Sequence, residues 1–176
     1  MQLNKNTIRL LADADVIIEL HRLQIWDEIY SQITHLYVAE TVFDEVRFYR
    51  DNENNMIRIN MSEYTEINVI VGSIKSSQKI LKVSPGIDAG ELESLAVLIE
   101  NDGYYFCSGD ALAINTAVLI GKNDDLISLE SLIKLTGKSQ KKFNQPNFSN
   151  VVFKKIVSKA STQRVYEMHK LKENGF

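Results

Sequence analysis

Residues 9–20 read Arg-Leu-Leu-Ala-Asp-Ala-Asp-Val-Ile-Ile-Glu-Leu, and this stretch decides the fold. An apolar run of Ile8, Leu10, Leu11 and Ala12 ends abruptly in two carboxylates, Asp13 and Asp15. Behind them Val16, Ile17, Leu20, Leu23, Trp26 and Ile29 recur at helical spacing. The pattern predicts a buried strand feeding straight into an amphipathic helix that runs to about Tyr30. Asp13 then stands at the carboxyl end of a strand, the edge where open α/β sheets place their ligand sites. An acid there needs a cation, a donor network or a metal to offset its desolvation. Asp15 falls at the helix start, where a carboxylate either caps free backbone N–H groups or serves a site.

The same alternation continues down the chain. Ile33 to Val38 has the β-branched and aromatic content of a short strand. A second helix is expected from Glu40–Thr41, with Val42, Phe43, Val46 and Tyr49 as its apolar stripe and Glu45 in its first turns. Asp51–Asn55 is a polar loop or frayed helix end, and Ile57–Met61 a candidate third strand. Residues 66–82 suggest a helix through Ile67, Ile70, Ile74 and Leu81, weakened by Gly72. After the break at Ser84-Pro85-Gly86, Asp88 is expected to cap a helix with Glu91 as its capping-box partner, burying Leu92, Leu95, Ala96 and Ile99. Tyr104–Cys107 reads as a buried strand that stops at Ser108-Gly109-Asp110. A helix over 111–120 closed by Gly121 follows, then a short one over 126–135 closed by Gly137. Strands alternating with helices predict an α/β protein, a three-layer α/β/α sandwich around a mainly parallel sheet.

Composition narrows the class. With 176 residues and 44% apolar content the chain can bury a good core. No apolar stretch approaches the roughly 20 residues of a membrane span. Polar Gln2, Asn4 and Asn6 do not make a signal peptide, and the single Cys107 excludes an intramolecular disulfide framework. Together these favour a cytoplasmic setting without membrane contact.

The net charge of −3 conceals a split. Residues 1–137 carry 11 Lys+Arg against 21 Asp+Glu, and residues 138–176 carry 9 against 2. The expected organisation is therefore a domain over 1–137 and a basic extension over 138–176, helical and packed on the core or on a partner. In the extension Val151, Val152, Ile156 and Val157, then Val165, Met168 and Leu171, fit one or two amphipathic helices. Lys138, Lys141, Lys142, Lys154, Lys155, Lys159 and Arg164 could track phosphates as a nucleic-acid-binding face, with Phe143 or Phe148 stacking on a base. The competing expectation is a helix that covers the core and shows water its charged side.

Four acids stand out by position. Asp13 and Asp110 end strands on the same expected sheet edge, Glu91 opens the helix before the strand of Asp110, and Glu45 lies in the second helix. Converged on one pocket they would repel, by about 4 kcal/mol for two charges 4 Å apart at an effective dielectric near 20. Mg²⁺ or Mn²⁺ removes that repulsion, preferring carboxylate oxygen and water, and suits phosphodiester hydrolysis. The alternative is that all four are helix caps. His21, His35 and His169 are scattered without ligand spacing, and Asp124 and Asp125 read as solvated. Glu93 points about 200° around the helix from Glu91 and is expected on a solvated face.

Leu11-Ala12-Asp13-Ala14-Asp15-Val16-Ile17-Ile18 resembles the opening Asp-x-Asn-Val of PIN-domain ribonucleases, the family that includes VapC-like toxins. The resemblance continues in residues 37–46, whose Glu45 matches the second acid, in Gly90-Glu91-Leu92-Glu93-Ser94-Leu95-Ala96 for the third, and in Ser108-Gly109-Asp110 for the fourth. It spans roughly residues 7–135. It implies an α/β/α sandwich that hydrolyses single-stranded or structured RNA with Mg²⁺ and leaves a 5′-phosphate. Carried over, Asp13 and Asp110 are the principal metal ligands, Glu91 contributes directly or through water, Glu45 orients a water, and Ser108 bonds a ligating carboxylate. Asp15 replaces the usual Asn. The family also implies a possible antitoxin protein and a homodimer. Two rivals stand beside this expectation. One is an inactive PIN-like module that binds RNA or protein. The other is a haloacid-dehalogenase-like phosphatase, which expects Gly-Thr where Val16-Ile17-Ile18 stands.

Overall fold

A computed structural model describes residues 8–139 and 142–176. In chain order the elements are β1 (Arg9–Ala12), α1 (Ala14–Arg22), α2 (Trp26–Tyr30), β2 (His35–Ala39) and α3 (Glu40–Glu45). A hairpin of β3 (Phe48–Arg50) and β4 (Met56–Arg58) follows, then β5 (Asn68–Ile70), α4 (Ile74–Val83), α5 (Ala89–Glu100), β6 (Tyr104–Cys107), α6 (Ala111–Leu119), α7 (Leu129–Leu135) and α8 (Asn150–Glu173). The central sheet has the order β5-β2-β1-β6, and every neighbouring pair is parallel. Leu126 adds an isolated parallel bridge to Phe106.

Side-chain alternation along β1 builds a core on each face of this sheet. Leu10 and Ala12 join Val16, Ile17, Leu20, Trp26 and the α7 residues Leu129 and Leu132. Leu11 and Phe106 face the other way, onto Leu95 and Leu98 of α5 and Ala113 and Ala117 of α6. The fold is mixed α/β, with helices on both sides of a parallel sheet, and is compatible with three layers. No helix among the described residues is long and apolar enough to cross a membrane.

Four sequence expectations about the elements need correcting. The helix from 16 to 30 is two helices, parted at Leu23–Ile25 where Gln24 adopts φ 58°. Residues spaced by three drift about 60° per step around a helix, so Trp26 and Ile29 on a continuous α1 would face away from Val16 and Ile17. The break returns both to the core. The helix expected over 66–82 is a short edge strand, β5, followed by α4. Gly72 separates them because the chain crosses α5 there: a Cβ would come within 2.7 Å of the Ala96 Cβ and 2.8 Å of the Glu93 carbonyl. The helix holding Glu45 ends at that residue, and Tyr49 belongs instead to β3, which pairs antiparallel with β4. The stretch read as a third strand supplies β4, outside the central sheet.

The basic segment is structural as well as charged. Its helix α8 packs along α6 and buries Phe153, Ala160 and Leu171. Arg164 is not on a free cationic face: its Nη1 donates to the carbonyls of Val118 (3.2 Å) and Leu119, closing the C-terminus of α6. Phe148 lies in the core beside Leu129 and Leu132, so it is not available to stack on a base. Phe143 is partly buried against that core. Lys138 pairs with Glu28 at 2.7 Å, while Lys142, Lys154, Lys155 and Lys159 are exposed and Lys141 lies outside the described residues. The boundary at 137 marks a change of charge and not of packing. Phe148→Ala should therefore cost about 3–5 kcal/mol, the usual range for emptying a buried phenylalanine site, measured by urea unfolding. A cost near zero would mean that the segment is an appendage.

Candidate functional site

The pairing of β1 with β6 brings two carboxyl ends together. Ala12 lies opposite Cys107, and the Asp13 N–H donates to the Cys107 carbonyl at 3.0 Å. The next residues on each strand, Asp13 and Ser108, are thus neighbours. Asp13 is only 4% exposed. It accepts from the Ala14 N–H at 2.8 Å and from the Ser108 hydroxyl, whose oxygen in turn accepts from the Asp110 N–H at 3.0 Å. Asp110 caps α6, accepting from the Leu112 and Ala113 N–H groups at 2.6 and 3.0 Å.

Two glycines permit the close approaches around this pair. A Cβ on Gly109 would stand 2.2 Å from the Phe148 ring and 2.7 Å from Asp15 Oδ2. Only a bare backbone lets the Gly109 N–H reach that Asp15 oxygen, at 2.8 Å. Asp15 does not cap α1, whose N-cap is Asp13. It ties the first turn of α1 to the loop after β6, and among the described residues its buried Oδ1 has no partner within hydrogen-bond geometry. Gly90 does the same for two helices: a Cβ there would lie 2.8 Å from Glu45 Oε2 and 3.2 Å from Val42. The bare Gly90 lets α5 sit on α3, with Glu45 and Glu91 on the lining of one pocket.

A pocket of about 240 Å³ is lined by Asp13, Asp15, Glu45, Glu91 and Asp110, together with Asp88 and Gln145. All four acids singled out from the sequence thus line one pocket. Glu91 is buried there, whereas Glu93 is directed to α3, accepting from the Thr41 N–H (2.8 Å) and hydroxyl (2.7 Å). That corrects the solvated face expected for Glu93. The capping box is half formed: the Asp88 N–H acts on the Glu91 carboxylate, but the Asp88 side chain makes no cap bond and faces the pocket. The sequence marks neither Asp88 nor Gln145 as a site residue: a cap position accounts for the first, and the second lies in the basic segment beyond residue 137.

The electrostatics are those of crowded acids. Burial raises Asp13 to about 6, against the Ser108 and Ala14 bonds, with Asp110 and Glu45 adding repulsion. Burial, then Asp110, Asp13 and Asp88, raises Glu91 to about 8. Burial and then Asp13 hold Asp15 well above the ordinary carboxylate range. Glu45 is raised by burial and by Asp88. The histidines play no part in this pocket. His21 stacks on Trp26 with centroids 5.0 Å apart, burial lowering it to about 4, and His169 pairs with Glu173 at 3.4 Å. Cys107 is fully buried behind the pocket.

Compared with protein-family models, curated proteins and solved structures, the chain matches none.

Asp13 and Glu91 bind their protons more tightly in the folded chain than at their ordinary values of 3.8 and 4.5. The folded state therefore gains protons relative to the unfolded one, and these two groups remove stability as the pH rises from about 4 to about 8. In EDTA, the loss of thermal midpoint between about pH 5 and pH 8 should be smaller in Glu91→Gln than in the wild type. Equal slopes would mean that Glu91 is not strained.

Proposed function

We propose that the chain is a PIN-like, metal-dependent endoribonuclease that hydrolyses RNA phosphodiester bonds. One observation carries this reading: Asp13, Glu45, Glu91 and Asp110, each from a different element, meet in one pocket beyond the carboxyl ends of β1 and β6. Their order along the chain is that of the family resemblance. An all-oxygen donor set suits Mg²⁺ or Mn²⁺ over softer ions. Among the described residues no three Asp, Glu, His or Cys side chains stand close enough together to form a metal-holding group as they are.

Asp13 and Asp110 would hold the ion, with Glu91 joining directly or through water. When bound, the ion would supply charge neutralisation at the scissile phosphodiester and activation of water. Ser108 keeps Asp13 aimed by donating to it while its oxygen accepts from the Asp110 N–H. Glu45, exposed at the rim, takes the role of aligning the attacking water and receiving its proton at a carboxylate oxygen. As the new P–O bond forms, the bond to the 3′-oxygen breaks and that oxygen takes a proton from solvent water, leaving a 3′-hydroxyl upstream and the 5′-phosphate on the downstream fragment. A toxin role, with an antitoxin protein and a homodimer, rests on the resemblance alone. A second reading is an inactive module of the same type that binds RNA or protein and keeps the fold without the chemistry.

Cleavage of a panel of single-stranded and structured RNAs in Mg²⁺, Mn²⁺ or EDTA separates the two. The nuclease reading expects cutting in either metal, none in EDTA, and loss in folded Asp13→Asn and Asp110→Asn. Ser108→Ala should cost about tenfold to a hundredfold, as loss of a residue that orients a ligand does. A well-folded wild type that cuts nothing with either metal sinks it.

A further inference from the structure

Three clefts join end to end on one side of the molecule. The acidic pocket shares Asp15 and Gln145 with a cleft of about 440 Å³, which shares Arg22 and Asn144 with a third of about 510 Å³. The middle cleft lies within the size range of ligand pockets. Its floor includes buried Phe148 and partly buried Ile18, and its outer wall is the β3–β4 hairpin.

That hairpin is built unlike the rest of the fold. Phe48 pairs with Arg58 and Arg50 with Met56, so alternation places these four side chains on one face of the ribbon. Phe48 is 47% exposed, Met56 is 60% exposed, and both arginines are exposed. Among the described residues Arg50 makes only long contacts to Asn54, at 3.3 and 3.4 Å. Arg22, by contrast, is neutralised by Glu19 through two bonds of 2.7 Å. Large apolar side chains held in water beside arginine contribute little to folding and mark a contact surface.

We propose that this groove is the track for single-stranded RNA, with a nucleobase stacked against Phe48 and Met56 and a backbone phosphate on Arg50. The proposal rests on the nuclease reading for the place of cutting, the acidic pocket, and adds to it how the strand is chosen. Phe48 and Met56 beside Arg50 on the wall of the middle cleft match a base stacked next to a backbone phosphate along one strand. A duplex hides its base faces within its stack, so the groove selects unpaired RNA. The continuity of the clefts favours a strand over a small ligand, which would occupy one cleft and leave the others idle.

The test is fluorescence anisotropy of a labelled single-stranded RNA octamer, and of its duplex, with full-length Asp110→Asn protein in Mg²⁺. Asparagine keeps the cap of α6. The single strand should bind more tightly than the duplex. Phe48→Ala and Met56→Ala should each weaken it by about tenfold with the thermal midpoint unchanged, while Phe48→Trp retains it. Arg50→Gln should lower the slope of binding against salt by about one phosphate contact. Wild-type affinity in both alanine variants, or no binding of either RNA, overturns the groove even if the wild type cuts RNA. Loss of affinity in the hairpin variants of a protein that cuts nothing upholds the groove and discards the nuclease.

Discussion

The burial of the Asp13 carboxylate is the constraint that shapes the rest of the site. A strand pair in parallel register carries it to the carboxyl edge of the sheet, where its desolvation must be offset. The fold answers with the Ser108 hydroxyl, the Ala14 N–H and the N-terminus of α1. The N-termini of α5 and α6 open on the same pocket, each bringing partial positive charge along with acids of its own. The offset is incomplete. Asp13, Asp15 and Glu91 all remain pushed toward their protonated forms. Departures from local consistency of this kind are expected where a chain serves a ligand and not its own stability.

The parts of the site that obey periodic patterns were legible in the sequence. Asp13 and Asp110 could be found because each ends a short apolar run before a helix, and β6 was bounded correctly by its aromatic content and the Ser108-Gly109 stop. What escaped depends on contacts through space. Nothing local says that Gly109 must admit Phe148 and Asp15, or that Gly90 must admit Glu45. Asp88 looked like a cap because it occupies a cap position, although its side chain makes no cap bond. Strand β5, three residues at the sheet edge, is too short to show a period, and the kink at Gln24 answers to the core and not to propensity.

Charge was the most visible feature of the C-terminal segment and the least informative about its packing. The same segment that carries the basic excess also supplies Phe148 to the core, Gln145 to the acidic pocket and Arg164 to the end of α6. Its exposed lysines along α8 lie on the water side of a helix that is packed on α6. The hairpin, read from sequence as a helix end and a stray strand, instead places aromatic and cationic side chains beside the acids. Placement beside the pocket, and not the count of charges, is what gives Arg50 its interest.

On the proposed reading the acidic pocket is a cation site whose acids hold protons until a cation displaces them. Calorimetric titration of Mn²⁺ into metal-free protein near pH 7, repeated in buffers of different ionisation enthalpy, measures the protons released on binding. With Glu91 at about 8, binding should release about one proton near pH 7 and less at higher pH, and Asp13→Asn with Asp110→Asn should abolish it. Absence of binding, or unchanged binding in the double variant, would contradict the account.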